Sequence, residues 1–427
     1  MSAGEEQIMT EIYFRTDGNS EIATGHLMRC LAIARTCTRK GASVTFVVSD
    51  EESRSLLEER FTVSQEFPVI CLYRSYRDLD GEVPALLSRL SADRSSANDP
   101  DAAPASCIQD RPWLFIDSYY ATASYFQALR PCFRTAYLDD LKSFDCAVDL
   151  VVNYDTSEDC SWYDNASRKL LGIQYTPLRK QFHSPRYEVR QQVTNILLST
   201  GGTDPYGVAE SLLHHLYDTD TCHDCSITPL GQDNMHMPGA SYQTQDLTSL
   251  QSMQYHILTS RANTRYTALT ALAQAHPQIH IHTNVSDVAA LMASCDLAVS
   301  AGGTTLCELC AVGVPSVSYL MAENQRTAVD TYARLELIPC AGDIRPTTVQ
   351  ALPSPDDITA HAATVPAAYG PTSDEPYTPN DDTLRHILAF LLHMAPNHAA
   401  RAGVSSSMRS LHDGAGTERI ATALLQE

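Results

Sequence analysis

Ile12-Tyr13-Phe14-Arg15-Thr16-Asp17-Gly18-Asn19-Ser20-Glu21-Ile22-Ala23-Thr24-Gly25-His26-Leu27-Met28-Arg29 runs from a short apolar strand, through a polar loop, into a helix that opens at the histidine. Leu27, Leu31 and Ala34 recur at helical spacing, and Gly41 follows the helix end, so the unit reads as the first strand–loop–helix turn of an α/β sheet. A histidine at a helix start lies in the positive end of the helix dipole, which disfavours imidazolium. The free N–H groups of the same turn suit a phosphate. A base beside an anion site points to chemistry on a phosphate ester. For a Gly-His pair taken alone, a histidine that caps a core helix is the plainer reading.

A chain of 427 residues exceeds one ordinary domain, so two cores with looser segments between them are expected. Hydrophobic residues at 44% fit a globular protein. The 30 basic and 51 acidic residues leave a net charge of −21, which repels nucleic acid and acidic membrane surfaces. An anionic ligand must therefore be held by local dipoles such as helix N-termini. Met1 to Thr10 lacks the apolar run of a secretory signal, and no stretch approaches a membrane span, so a cytoplasmic protein without membrane insertion is expected. The 13 cysteines are scattered and odd in number, unlike a disulfide framework. Cys222-His223-Asp224-Cys225, near His214, His215 and His236, and Cys307-Glu308-Leu309-Cys310 have C-x-x-C spacing. With no second pair at ribbon spacing, buried free thiols are the preferred reading and no metal site is expected.

Apolar runs alternate with amphipathic helices from residue 12 to about 175, the pattern of a parallel sheet. Strands are predicted at 12–15, 43–48, 69–72, 113–116, 135–138, 150–153 and 170–173, and helices at 26–39, 51–59, 83–90 and 121–129. After the charged connector 179–192, a second alternating run places strands at 195–198, 256–259, 279–282, 297–300 and 316–320. Its helices are predicted at 205–217, 267–275, 287–294, 304–311 and 324–335, with two more at 384–394 and 415–425. Asp204-Pro205 reads as a cap followed by a first helical residue. The polar stretches 91–112, 218–254 and 346–382 read as flexible insertions. The expected layout is a Rossmann-like domain over 8–188, a second over 189–345, the loop 346–382 and C-terminal helices over 383–427. Two such domains are expected to face each other, with ligand in the cleft at the strand carboxyl ends.

The second half carries the nucleotide-type features. Ser199-Thr200-Gly201-Gly202-Thr203-Asp204 and Ser300-Ala301-Gly302-Gly303-Thr304 each join a strand to a helix through a glycine pair that allows close backbone approach. Glu308, one turn into the second helix, suits a ribose diol, and Asn324-Gln325 sit at the next helix start. One such loop occurs in many proteins without a ligand; two loops with a carboxylate and an amide pair point to a nucleotide. In the first half, Asp117-Ser118-Tyr119, Asp139-Asp140 and Asn153 end strands, where acidic residues also serve as helix caps.

This ordered series resembles a known family. Asp17, Gly25-His26-Leu27-Met28-Arg29, Asp117-Ser118-Tyr119, Asp139-Asp140, Asn153, Gly172-x-x-Tyr175-x-x-Leu178-Arg179-x-x-Phe182, Gly201-Gly202-Thr203-Asp204, Gly302-Gly303-Thr304 with Glu308, and Asn324-Gln325 are similar to the UDP-2,4-diacetamido-2,4,6-trideoxy-β-L-altropyranose hydrolases of pseudaminic acid biosynthesis. Relatives of those hydrolases include spore-coat polysaccharide biosynthesis proteins. The second half also resembles the UDP-GlcNAc transferase of peptidoglycan synthesis. The likeness spans residues 12 to 345 and implies a glycosyltransferase-B-type fold, a UDP-sugar substrate held mainly by the second domain, no cofactor and no metal. It also implies that His26 is the catalytic base, supported by Asp17, with Tyr119 in the active site and Asn324 on the sugar. Gly25, Asn153, Gly201, Gly202, Thr203, Gly302, Gly303, Thr304, Glu308 and Gln325 are the further substrate-binding candidates. The expected reaction is water attack at C1 with inversion, releasing UDP from a diacetamido-trideoxy or similar amino sugar, by a monomer. A glycosyltransferase of the same fold is the alternative. The three insertions and the loop Asn19-Ser20-Glu21-Ile22-Ala23-Thr24 set this chain apart from the families it resembles.

Overall fold

The computed structural model describes residues 9–19, 22, 24–60, 65–97, 111–154, 160–183, 187–217, 247–346 and 378–426. Most of the three predicted insertions, Cys222, Cys225 and His236 lie outside these residues. The chain divides into two compact units, residues 1–180 with 414–427, and residues 181–413. The division falls after Lys180 rather than after 188, and the C-terminal helices are shared between the units.

The first unit is built on seven parallel strands: β1 Glu11–Thr16, β2 Ser43–Val48, β3 Val69–Cys71, β4 Trp113–Asp117, β5 Arg134–Leu138, β6 Leu150–Asn153 and β7 Lys169–Leu171. Their order is β3-β2-β1-β4-β5-β6-β7. Strand order reverses between β1 and β4, whose register pairs Thr16 with Asp117. Ligands of open α/β sheets bind beyond the strand ends at such a reversal. β1, β2 and β4 are buried almost throughout, which is why they read as unbroken apolar runs. Helix α1, Gly25–Arg39, packs Leu27, Leu31 and Ala34 on one face of the sheet, together with the last helix, Gly416–Leu425. That helix starts at a glycine because a Cβ at Gly416 would lie 2.0 Å from the Thr176 carbonyl oxygen. Helices α2 (Glu51–Ser55, continuing as a π-helical turn Leu56–Arg60), α3 (Leu79–Ala97) and α4 (Ala123–Leu129) complete the unit. α3 extends into the stretch predicted to be loose, as far as Ala97.

The second unit has six parallel strands: β8 Asn195–Ser199, β9 Gln254–Leu258, β10 Ile279–His282, β11 Leu297–Ala301, β12 Ser316–Leu320 and β13 Cys340–Asp343. Their order, β10-β9-β8-β11-β12-β13, reverses between β8 and β11, the two strands that run into the glycine pairs. Helices α5 (Val208–Tyr217), α6 (Thr248–Gln251), α7 (Tyr266–Ala275), α8 (Val288–Ser294), α9 (Thr305–Val312) and α10 (Arg326–Arg334) follow, then helices Asp381–Met394 and His398–Leu411. The sequence reading missed β13 and the helix His398–Leu411. Arg401 holds that helix: fully buried, it donates to the carbonyls of Met394, Ala395, Arg190 and Gln191. The connector is tied down at Arg190, whose Nη1 lies 2.8 Å from Asp296, a carboxylate that also accepts the Thr194 and Asn195 N–H groups. Among the described residues no helix is long and apolar enough to cross a membrane.

His412 is buried at the end of the helix His398–Leu411, with Nε2 2.7 Å from the Tyr332 hydroxyl. Burial pushes its pKa down to about 4. A histidine held neutral in this way favours the folded state above its unfolded pKa of about 6.5 and loses that contribution as pH falls towards 4. The wild type is therefore expected to lose more Tm than His412→Gln between pH 6.5 and pH 4, read by thermal melts in matched buffers.

Candidate active site

His26 is the second residue of α1, and its ring is buried at the reversal in the first sheet. Nδ1 lies 2.6 Å from Oδ1 of Asp117, the last residue of β4. Asp117 is also gripped by Arg29, one turn further along α1, through Nε to Oδ2 (2.6 Å) and Nη2 to Oδ1 (2.5 Å). Burial opposes ionisation of this carboxyl, but the charges of Arg29 and then His26 outweigh it and hold it well below the usual carboxylate range. An ionised carboxylate only accepts hydrogen bonds, so Nδ1 carries the ring hydrogen and Nε2 is the basic nitrogen. Arg29 Nη2 is 3.0 Å from the same Nδ1, yet both are donors there; the shorter contact to Asp117 is the hydrogen bond.

The expected support from Asp17 is corrected. Its carboxylate accepts the Ser49 N–H (2.6 Å), the Ser49 hydroxyl (3.0 Å) and Arg15 Nη1 (2.5 Å). Arg15, fully buried in β1, also makes a two-pronged pair with Glu82, which accepts the Tyr125 hydroxyl as well. Asp17 thus locks the β1 loop to β2 and lines the same recess as His26 without being its hydrogen-bond partner. Asp117 was legible as a strand end, but not as the histidine's partner, because the two lie 91 residues apart in sequence. The clue was topological: a strand beginning at Trp113 had to neighbour β1 for its end to reach His26.

Tyr119 meets the His26 ring edge-on, centroids 4.4 Å apart, with its hydroxyl 3.4 Å from Asp140 Oδ2. The same Asp140 oxygen accepts from Arg29 Nη1 and, at 3.3 Å, from the Tyr154 hydroxyl. A small, partly open recess is lined by Asp17, His26 and Asp117 and by three tyrosines, Tyr76, Tyr119 and Tyr120. Tyr76 and Tyr120, which the sequence reading did not single out, pack edge to face at 5.5 Å. Gly25, the first residue of α1, is open: a Cβ there would meet nothing within 4 Å. Thr24 makes no side-chain cap on this helix, and its first turn has no acidic residue. Asn153 does not line the recess. It is buried, with Nδ2 2.8 Å from the Tyr163 hydroxyl, which in turn donates to Asp139. Asp139 closes its own turn by accepting the Ser143 N–H at 3.0 Å, but no helix starts between β5 and β6, so the helix-cap reading holds for neither Asp139 nor Asp140.

The two glycine turns of the second unit differ. α5 begins at Val208 rather than at Pro205, and the fully buried Asp204 caps it, accepting the N–H groups of Val208 (2.9 Å) and Ala209 (3.1 Å). Burial pushes the Asp204 carboxyl up to about 6 despite those bonds. The donors expected to take a phosphate there are already engaged. Gly201, at φ +82°, and Gly202 precede that cap, with Thr203 exposed. α9, by contrast, starts after Thr304 with no side-chain cap, and Glu308 lies half-buried in its first turn. Gly303 is open, whereas a Cβ on Gly302 would lie 2.2 Å from Val329 Cγ2 of α10. Gln325 accepts the Met321 N–H at 3.2 Å and so closes the turn after β12. The side chain of Asn324 lies outside the described residues. Cys307 and Cys310 are buried in α9, and no group of three or more His, Cys, Asp or Glu among the described residues is placed to hold a metal.

No family model matches the chain. An uncharacterized protein of Methanocaldococcus jannaschii, MJ1062, is 21% identical over 334 residues, covering 75% of this chain and 57% of its own length. The chain thus spans little more than half of that relative. Among solved structures, MurG of Acinetobacter baumannii aligns with a TM-score of 0.56 at 13% identity over 98% of this chain and 100% of its own. UGT89C1 of Arabidopsis thaliana, complexed with UDP-L-rhamnose, aligns at 0.55 and 10% identity over 97% and 99%. The chain therefore has the glycosyltransferase-B-type α/β fold expected from its sequence.

Gly302→Ala is expected to lower stability by about 1–3 kcal/mol, because the stiff Val329 must move aside. Gly303→Ala should stay within about 0.5 kcal/mol of the wild type. Urea denaturation of the two variants checks the contrast.

Proposed function

We propose that the protein uses a UDP-sugar, with His26 taking the proton of an oxygen nucleophile that attacks the anomeric carbon, and that its reaction is glycosyl transfer to a hydroxyl acceptor. The observation that carries this reading is the Asp117-backed imidazole opening into a tyrosine-walled recess. Aspartate takes Nδ1–H and leaves Nε2 to accept a proton, the arrangement of a general base. As the nucleophile's oxygen bonds to C1, its proton passes to Nε2 and the C1–O bond to the diphosphate breaks, its electron pair leaving with UDP. Base assistance of this kind contributes about 10²–10⁴-fold. Tyrosine faces and hydroxyls suit a sugar ring, which presents both apolar C–H and polar groups.

For the diphosphate, the start of α9, which has no side-chain cap, is the better candidate of the two glycine turns: the Gly302, Gly303 and Leu306 N–H groups are bonded within the fold, so the Thr304 and Thr305 N–H groups would be the donors that stabilise the charge developing on the leaving group. Glu308 would accept the ribose hydroxyls. The choice of UDP is supported by the fold shared with UGT89C1, solved with UDP-L-rhamnose, and that of transfer by the fold shared with the spinosyn rhamnosyltransferase SpnG (TM-score 0.51, 10% identity). A second reading, hydrolysis of a UDP-linked diacetamido-trideoxy sugar in nonulosonic acid or surface polysaccharide biosynthesis, is supported by the motif series around Gly25-His26-Leu27-Met28-Arg29.

A panel of nucleotide sugars, assayed for free nucleotide with and without hydroxyl acceptors in ¹⁸O water, tests both. Transfer predicts release that depends on an acceptor. Hydrolysis predicts acceptor-independent release with the label at C1 of the sugar. Label in UDP, or no turnover of any nucleotide sugar, overturns attack at the anomeric carbon.

A further inference from the structure

Arg29 lies three residues after His26, on the same face of α1. Its guanidinium is buried and its donors are divided. Nε and Nη2 hold both oxygens of Asp117, while Nη1 reaches Asp140 and the Tyr154 hydroxyl at 2.7 Å. Tyr119, edge-on to the His26 ring, points its hydroxyl at the same Asp140 oxygen. One side chain is therefore tied to the partner of Nδ1 and, through Asp140, to the ring's aromatic neighbour.

We propose that Arg29 is a positioning residue that fixes the tautomer of His26. An ionised carboxylate offers about four acceptor directions. On Asp117, Arg29 takes one on each oxygen and the Cys30 thiol, 3.4 Å from Oδ2, takes another, which leaves one on Oδ1 for Nδ1–H. The planar two-pronged grip prevents the carboxylate from turning away. The same grip occupies Nη2, which lies 3.0 Å from Nδ1. Released from Asp117, Nη2 would donate to Nδ1, move the ring hydrogen to Nε2 and remove the basic nitrogen. The inference rests on His26 as the base; its test uses no substrate.

The test is a long-range ¹H–¹⁵N spectrum of histidine-labelled full-length protein in its neutral-ring range, with His26 assigned by its absence from His26→Asn. The wild type is expected to show Nδ1 protonated and Nε2 unprotonated. Asp117→Asn leaves Nη2 free to donate and should reverse the pattern. Arg29→Lys keeps the buried charge but not the fork, and should give averaged shifts for the two nitrogens. Asp140→Asn leaves the grip on Asp117 in place and should keep the wild-type pattern. A hydrogen on Nε2 of His26 in the wild type overturns the inference. An unchanged pattern in Arg29→Lys does so as well. Absence of UDP-sugar turnover would instead remove the functional reading and leave the tautomer result standing.

Discussion

The first unit's site depends on the carboxylate of Asp117, buried at the end of β4 and shared between His26 and Arg29. Two charged groups in a protein interior are costly unless each is paired, and removing one partner of such a pair typically costs about 3–5 kcal/mol. Here the cost of burying Arg29 is offset by two carboxylates, Asp117 and Asp140, and by the Tyr154 hydroxyl. The same bonds orient the imidazole. Stability and the orientation of the ring draw on one set of contacts, so substitutions at Arg29 or Asp117 act on both.

That carboxylate meets the histidine because of strand order. β1 and β4 are neighbours with opposite winding on either side, so the loop after β1 and the end of β4 splay apart and leave room above the sheet. The second unit repeats the device between β8 and β11, and both glycine pairs fall there. The two turns then diverge through local chemistry. Asp204 spends its carboxylate on the start of α5, while α9 keeps an uncapped start beside Gly303.

Most of the fold was legible because buried parallel strands read as apolar runs, as at Ile12-Tyr13-Phe14, Trp113–Ile116 and Leu297–Ser300. β13, Cys340-Ala341-Gly342-Asp343, is too short and mixed to announce itself. The helix His398–Leu411, with Ser405-Ser406-Ser407 inside it, has weak local preference and is held by the tertiary bonds of Arg401. The sequence placed His26 at a strand–loop–helix turn, Tyr119 just beyond a strand end and Gly303 in a glycine turn of the second unit, and the structure has each of them there. Asp17 was taken for the histidine's support on the strength of the family resemblance. Space instead brings Asp117, while Asp17 satisfies the buried Arg15 and the Ser49 N–H. Asn153 and Gln325 likewise proved to be spent on internal bonds that only the packed structure reveals.

On the proposed mechanism, the Asp117-backed His26 removes the proton of the nucleophile rather than binding the diphosphate. The most direct measurement compares His26→Asn with the wild type for turnover of the preferred nucleotide sugar and for affinity of free UDP by calorimetry. The account predicts a fall in kcat of about 10²–10⁴-fold with UDP affinity unchanged. Turnover that survives the substitution, or UDP affinity that collapses with it, would contradict the account.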